Sequence, residues 1–287
     1  LLSAGKPRRS VSMRFLRKKG FWYSLYAVAI TGVFLYALFP AEPAARLMEN
    51  AAQKSGWRLQ VASVAPSLPW GVTLQEVSLA VFNAPGARDI QADRIRLQPR
   101  WWTAFSRLKQ TAVQGRAYGG GFDGIVGFAS LAVNRPPEEV RMRFEKIDLA
   151  RLPLAAILPV RGASGFLSGN VAYNGVSGQG AYPDGEVSLH LTRGVYVLPE
   201  PFVGIDRLEF DRGELQARLQ GGVVTLEKLE LYGTTLNCFL TGQMTLAPDV
   251  SQSALNLKGV FELTGQNKMK MNVTLGGTLQ NPIIRYI

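Results

Sequence analysis

Five segments of this sequence share an apolar pattern that a regular β-strand cannot carry. In residues 72–81 (VTLQEVSLAV), apolar side chains alternate as far as Leu74 and then resume at Val77, on the opposite parity. Successive residues of a strand point to opposite faces, so this one-residue slip turns the second half of the strand over. The pattern recurs at residues 90–97, 142–149, 203–210 and 224–231, and the polar pairs at the five slips are Gln75-Glu76, Asp93-Arg94, Glu145-Lys146, Asp206-Arg207 and Glu227-Lys228.

The repeated slip predicts a β-bulge in each strand. A bulge sets two residues against one on the neighbouring strand, which restores the facing and bends the strand, and repeated bulges curve a sheet. A three-residue step also fits the end of a helix, but the β-branched content and the nearby Gly and Pro turns favour strands. The side chains predicted to line an inward-facing groove or core are Leu74, Val77, Leu79, Leu226, Leu229 and Leu231.

From residue 162 onward the sequence alternates as a run of strands separated by short turns. Asp211-Arg212-Gly213, Gly221-Gly222 and Pro248-Asp249 carry turn-forming residues. Connections this short join neighbouring antiparallel strands, so the sequence predicts a meander with one apolar face. The 30 glycines among 287 residues suit such a turn-rich β protein.

An uncharged stretch of 22 residues, 20–41, follows the basic N-terminal segment. Because about 20 apolar residues in a helix cross the hydrocarbon core of a bilayer, the stretch predicts an uncleaved transmembrane signal anchor over residues 21–41. A cleaved signal peptide is the alternative, although its apolar region is usually about 7–15 residues long. The side chains predicted to hold the anchor in the membrane are Trp22, Tyr23, Tyr26, Leu35 and Tyr36.

The net charge of +11 is concentrated in the N-terminal tail. Residues 1–20 hold seven basic side chains and no acidic one, whereas the rest of the chain carries only +4. Positively charged flanks stay in the cytoplasm, so the tail predicts a cytoplasmic N-terminus and a body on the far side of the membrane. The same distribution disfavours a nucleic-acid-binding protein, which needs its basic residues on the folded surface. The residues predicted to set the topology are Arg14, Arg17, Lys18 and Lys19.

These features divide the chain into five predicted regions. They are a basic cytoplasmic tail (1–20), the anchor helix (21–41), an amphipathic linker helix (42–56), an N-terminal β region (57–160) and a C-terminal antiparallel meander (161–287). Within the N-terminal β region, residues 101–108 (WWTAFSRL) form a short amphipathic segment with Trp101, Phe105 and Leu108 on one side. So short a helix rarely binds a membrane alone, so we expect it to cap an edge of the sheet, with a membrane-surface contact as the alternative.

The sequence offers no constellation for catalysis. His190, the only histidine, lies on the polar parity of its strand and has no partner at metal-ligand spacing. Cys238, the only cysteine, shares parity with Leu236 and Leu240 and is expected to be a small buried side chain. Neither a nucleophile elbow nor a phosphate-binding loop is complete. We therefore expect no catalytic, cofactor-binding or metal-binding residues, no cofactor and no enzymatic activity.

Several of these segments together resemble a known family. The order GVTLQEVSLAV, ADRIRLQPRWW, EKIDLARLPL and GFLSGNVAYNG, ending in GGTLQNPIIRYI, resembles the type II secretion system protein N family within the broader AsmA-like group. The resemblance implies an inner-membrane protein of a Gram-negative cell with a curved β-sheet in the periplasm. For protein N it implies an accessory role in secretion, through contacts with the secretin or the inner-membrane platform. For the wider group it implies a groove that holds lipid acyl chains.

The combined prediction is a mainly β, single-pass protein of the cell inner membrane. We expect one N-terminal transmembrane helix, followed by a curved, bulged antiparallel β-sheet, folded over itself as in AsmA-like proteins, with short capping helices. The first expected function is that of a periplasmic accessory component of type II secretion, acting by protein contacts without catalysis. The alternative is an AsmA-like envelope protein that binds or shuttles acyl chains. The expected partners are the inner membrane, secretion components and lipid acyl chains, and no nucleic acid.

Overall fold

The computed structural model describes residues 19–54, 57–67, 70–81, 90–103, 105–129, 137–154, 161–175, 183–202, 205–264 and 269–286. The chain divides into two compact units, Leu1–Pro40 and Ala41–Ile287. Within these described ranges, the first unit contains a single helix, and the second contains one α-helix and fourteen strands.

The helix of the first unit is α1 (Lys19–Ala37). Its exposed aromatic side chains include Trp22, Tyr23, Tyr26 and Tyr36. The other predicted anchor and topology side chains fall outside what the structure describes: those of Leu35, Arg14, Arg17, Lys18 and Lys19. Across the described residues, no helix has both the length and the apolar character that crossing a membrane requires.

The second unit opens with an amphipathic helix, α2 (Ala41–Lys54). Glu42 and Pro43 occupy its first turn, where an acidic side chain suits the helix dipole and proline sacrifices no hydrogen bond. Met48 is half-buried whereas Leu47 is exposed, and the helix packs against the first strand.

The strands of the second unit form one antiparallel sheet in sequence order, β1 to β14. The prediction of a mainly β, antiparallel fold is therefore confirmed. β6 pairs with β7, so one sheet includes strands from both of the β regions that we predicted on either side of residue 160. The strands are β1 (Trp57–Ser67), β2 (Gly71–Val81), β3 (Ile90–Pro99), β4 (Lys109–Ala117), β5 (Gly120–Phe128), β6 (Glu139–Asp148), β7 (Gly162–Asn174), β8 (Asp184–Phe202), β9 (Ile205–Gln220), β10 (Val223–Tyr232), β11 (Leu236–Thr245), β12 (Ala254–Leu263), β13 (Met269–Gly277) and β14 (Pro282–Tyr286).

Two of the five predicted bulges are confirmed by shifts of register. In β10, Leu226 pairs with Ala217 of β9 but Lys228 pairs with Gln216, so β10 has taken up one extra residue. The register of β10 against β11 shifts at the same place. In β6, the register against β7 shifts across the Glu145-Lys146 slip.

At the slips in β2 and β3 the bulge prediction is wrong, because neighbouring strands change facing together. Val61 of β1 pairs with Val77, and Val64 pairs with Leu74, in one unbroken register. β3 also stays in register with β2 throughout. β1 carries the same three-residue step, from Val61 to Val64, so β2 has no extra residue relative to β1. Glu76 makes the step with a left-handed φ of 48°, and Leu74 and Val77 are both buried, at 3% and 4% exposure.

The fifth slip lies in β9, a strand longer than the sequence predicted. The register of β9 against β8 shifts near Asp206-Arg207, between the pairs formed by Val197 and Phe202 of β8. The extra residues therefore lie in β8, and the bulge predicted for β9 is wrong. The predicted turn at Asp211-Arg212-Gly213 is also wrong, since these residues lie in the middle of β9. Phe210 and Gly213 are both buried and three residues apart, which makes this segment another slip. Its glycine hid the apolar pattern.

The prediction that residues 101–108 cap a sheet edge is wrong. Of the residues of this segment that the structure describes, Trp101–Thr103 alone are helical, as a single 3-10 turn between β3 and β4. Thr103 is buried and donates a hydrogen bond from Oγ1 to the Arg100 carbonyl at 2.7 Å. This bond fixes the turn with its threonine inward, and Trp101 and Phe105 are left exposed instead of covering the sheet.

Candidate functional site

One face of the sheet carries two adjacent rows of residues that cross all fourteen strands. Cross-strand pairing places one residue of each strand in each row, and every position in both rows is apolar, aromatic or glycine. The central row is Val64, Leu74, Ile95, Gly115, Phe122, Phe144, Gly169, Leu189, Leu215, Leu229, Leu240, Gly259, Val273 and Tyr286. The flanking row is Pro66, Val72, Leu97, Val113, Gly124, Met142, Val171, Val187, Ala217, Leu226, Gly242, Leu257, Leu275 and Ile284.

The bulge in β10 keeps both rows on the same face. In the other strands the two row members are two residues apart, but in β10 Leu226 and Leu229 are three apart. Because the extra residue turns the strand over once, both leucines stay on the apolar face and Glu227-Lys228 falls on the other. The bulge in β6 acts in the same way, since it brings Ile147, which is buried, onto the face that carries Phe144.

The predicted inward-facing residues lie in two separate places on this apolar face. In β2, Leu74 and Val77 are buried and Leu79 is half-buried. In β10, three leucines pack against a buried cluster formed by the next strands. The cluster is Cys238, Leu240 and Val273, and the half-buried side chains packed against it are Leu226, Leu229, Leu231, Phe261 and Leu275.

The apolar face is only partly covered. Several residues of the central row are buried, but all fourteen members of the flanking row are half-buried or exposed. A sheet with one apolar face normally buries it against a second layer of structure. Between the fourteen strands, spaced by about 4.8 Å, the rows extend about 60 Å measured along the sheet. From β1 to β13, the result is a long apolar strip whose two rows contain no residue with a polar or charged side chain.

Glycines in the rows allow large neighbouring side chains to lie flat on the strip. A Cβ atom on Gly115 would collide with the Phe122 ring, which lies over it from the next strand. A Cβ on Gly124 would come within 2.6 Å of the Met142 sulfur. Pairing glycine with a large residue therefore keeps the strip apolar and makes its surface flatter.

The opposite face of the sheet is polar and charged. Lys228 Nζ lies 2.9 Å from Glu214 Oε2 and 3.2 Å from Glu230 Oε2. The hydrogen bond from Lys228 lowers the pKa of Glu214, and the same bond raises the pKa of Lys228. His190 pairs with Glu214 across the strands and is exposed, which confirms the expected solvated position of the only histidine. The Tyr232 hydroxyl donates to Glu230 at 2.8 Å, and this bond raises the pKa of the phenol.

Cys238 is a core side chain, as the sequence predicted. It is buried, and desolvation raises the pKa of its thiol to about 12. A thiol of this pKa stays protonated at neutral pH and is a poor nucleophile. In the part of the chain that the structure describes, no group of three or more His, Cys, Asp or Glu residues is arranged to hold a metal ion.

Sequence reasoning missed further changes of facing in β7 and β8. Arg193 has a left-handed φ of 51°, and the register between the two strands shifts between Ser164 and Phe166. A Cβ on Gly194 would touch the Leu191 side chain, so these residues lie on one face, although they are three apart. The alternation of β8 therefore changes parity at Arg193. A polar pair, Thr192-Arg193, was the available signal.

No family model matches the chain, and searches of curated proteins and of solved structures found no match. The resemblance to the type II secretion system protein N family and the AsmA-like group therefore stays a prediction.

Proposed function

We propose that this protein binds lipid acyl chains along the apolar strip of its sheet. The observation that carries the proposal is the pair of rows, which cross fourteen strands with apolar, aromatic and glycine residues alone. A partly exposed apolar area of this extent marks a binding surface. Half of a bilayer's hydrocarbon core is about 15 Å thick, so a strip of about 60 Å has room for several acyl chains in succession.

Acyl chains suit this strip better than a protein partner does. A protein–protein interface combines an apolar centre with polar groups, and typically has about one hydrogen bond per 100–200 Å². Apart from Tyr286 of β14, the two rows contain no residue whose side chain could take part in such bonds. An acyl chain needs none, because its burial is driven by removing apolar surface from water.

The proposed location is the inner membrane, with the N-terminus in the cytoplasm and the sheet in the periplasm. Support comes from the sequence: the uncharged stretch 20–41 and the seven basic residues before it. The accessory role in type II secretion rests on the family resemblance alone.

Site-specific photo-crosslinking in cells that produce the full chain tests the proposal. Leu257 and Lys258 are neighbours on opposite faces of β12, so a photoreactive amino acid at either position probes one face. We expect lipid adducts at Leu257, and again at Leu226 on the same row, but not at Lys258. Adducts with protein alone at the two leucines would contradict the proposal and support the secretion role. Equal lipid labelling at all three positions would contradict it too.

A further inference from the structure

Four exposed aromatic side chains lie at one end of the sheet, on two neighbouring connections. Trp70 is 80% exposed in the β1–β2 turn, and Trp101 and Trp102, in the β3–β4 connection, are 71% and 60% exposed. Phe105, in the same connection, is fully exposed. β1 to β4 are consecutive antiparallel strands, so both connections fall at the same end. We call Trp70, Trp101, Trp102 and Phe105 the aromatic foot.

The structure holds the β3–β4 part of the foot in a defined conformation. The Arg100 amide donates to the Gln110 carbonyl at 2.9 Å, and the Gln110 amide donates to Thr103 Oγ1 at 3.0 Å. Trp101 and Trp102 stack edge to face, with ring centroids 5.8 Å apart. Close to the two connections, Arg96 Nε of β3 donates to Ser67 Oγ, at the end of β1, at 2.5 Å. The aromatic side chains are thus presented outward by a bonded turn.

The β3–β4 part of the foot is flanked by basic residues. Residues 99–110 contain Arg100, Arg107 and Lys109 and no acidic residue, and the Arg100 guanidinium lies 6.0 Å from the centre of the Trp102 ring. Glu138 and Glu139 lie beside Arg107 in a shallow depression. Glu139 is already engaged, accepting from Gln110 Nε2 at 3.1 Å and pairing with Arg141 at 3.0 Å.

We infer that the aromatic foot inserts into the interface of a lipid bilayer, with Arg100 and Arg107 contacting anionic headgroups. Tryptophan rings favour the headgroup level, where one side of the ring is apolar and the other is wet. Basic side chains add electrostatic attraction to an anionic surface. If the predicted anchor tethers the chain to the membrane, the foot is held at a high effective concentration near the bilayer. A few side chains are then enough to maintain the contact between the foot and the lipid.

The foot also lies beside one end of the apolar strip. Leu97 of the flanking row is two residues before Pro99, and Val72 follows Gly71 directly after Trp70. If the strip binds acyl chains as proposed above, the foot places the β1 end of the strip at a membrane. Acyl chains could then pass from that membrane onto the strip. This last step rests on the proposed function, whereas membrane contact by the foot does not.

Spin labelling of the full chain in vesicles tests the inference. Ser106 is exposed between Phe105 and Arg107, and Thr235 is exposed in the β10–β11 turn at the other end of the sheet. A single cysteine is introduced at either position; Cys238 is retained, because it is buried and resists labelling. We expect the label at residue 106, in vesicles of equal phosphatidylcholine and phosphatidylglycerol, to be accessible to oxygen and shielded from a water-soluble nickel complex. The label at residue 235 should be accessible to nickel.

Two sets of variants separate the aromatic and basic contributions. Replacing Trp101, Trp102 and Phe105 together by serine should abolish immersion of the label at residue 106. Arg100→Gln and Arg107→Gln should each lower the ratio of immersed to free label about fivefold in the mixed vesicles, and much less in phosphatidylcholine alone. Thermal unfolding of every variant verifies that the sheet is intact.

Three results would overturn the inference. One is a label at residue 106 as accessible to nickel as that at residue 235. Another is shielding of residue 106 from both oxygen and nickel, which means docking onto protein. The third is immersion that survives the serine variant. Lipid crosslinking at Leu257 does not require the foot, so its outcome tests the apolar strip separately.

Discussion

The slips in β2 and β10 have the same apolar pattern but are built by different backbone devices. In β2, Glu76 takes a left-handed φ of 48° and both neighbouring strands stay in register. In β10, an extra residue at Glu227-Lys228 shifts the register on both sides. The difference lies in the neighbours: β1 and β3 carry a matching three-residue step, whereas β9 and β11 continue their alternation there. The pattern of a single strand therefore defines which side chains share a face, and the adjacent strands decide how the backbone achieves it.

The largest expected effect tests whether both sides of the β2 slip face inward. Leu74→Asp and Val77→Asp should each destabilise the protein by roughly 3–5 kcal/mol, because each leaves an unpaired charge in a buried site. Gln75→Asp, at an exposed position in the same strand, is the matched control and should be nearly silent. Thermal unfolding measures all three. If either of the inward substitutions is tolerated, the two halves of β2 face opposite sides.

Single-residue deletions should separate the two devices. Deleting Glu227 leaves Leu226, Lys228 and Leu229 in regular alternation, so β10 can pair with its unbulged neighbours at a cost of about 1 kcal/mol or less. Deleting Gln75 leaves β1 and β3 each with a residue that β2 no longer matches, and should cost roughly 2–4 kcal/mol. Denaturant unfolding of the two deletion variants gives both values. If the two deletions lower the free energy of unfolding equally, the neighbouring strands do not decide between a bulge and an in-register step.

Glycine substitutions at the two slips should have opposite signs. A non-glycine residue in the left-handed region costs about 1–2 kcal/mol, and Glu76→Gly removes this strain. Glycine also makes the unfolded chain more flexible, which offsets part of the gain, so the net stabilisation should be about 0.5–1 kcal/mol. Glu227 is not among the described residues with a positive φ, so Glu227→Gly should destabilise by about 0.5–1 kcal/mol. The melting temperatures should then move in opposite directions by about 2–4 °C per kcal/mol. A lower melting temperature for both glycine variants would refute the left-handed backbone conformation at Glu76.

The sequence predicted the strands and their facing better than it predicted the register. Alternation around Leu74, Val77, Leu226 and Leu229 depends on local residues, so it could be read from each segment alone. The choice between a bulge and an in-register step depends on pairing partners far away in sequence, which no segment contains. The continuity of the apolar rows could not be foreseen for the same reason. Glycine concealed the slip in β9, because it lacks the apolar side chain that marks a facing.

The smallest expected effect concerns the charges that hold the β10 bulge on the polar face. The hydrogen bond from Lys228 lowers the pKa of Glu214 below its ordinary 4.5 and raises the pKa of Lys228 above 10.5. A carboxylate with a lower pKa in the folded state adds stability above its unfolded pKa, and this is lost as the pH falls through the folded value. An ammonium with a raised pKa adds stability below its unfolded pKa, which is lost as the pH rises through the folded one.

The Lys228–Glu214 pair should therefore stabilise the protein between these limits, weakly, because it is exposed to solvent and screened by salt. Lys228→Met should lower the melting temperature slightly at neutral pH, and its difference from the parent protein should shrink as the pH falls to about 3. Lys258→Met, an exposed lysine of β12, is the control. If the difference in melting temperature between Lys228→Met and the parent protein does not change with pH or salt, Lys228 stabilises the bulge through packing of its aliphatic chain. The slips of β2 and β10 would then differ only in register and backbone conformation, and not in their dependence on charge.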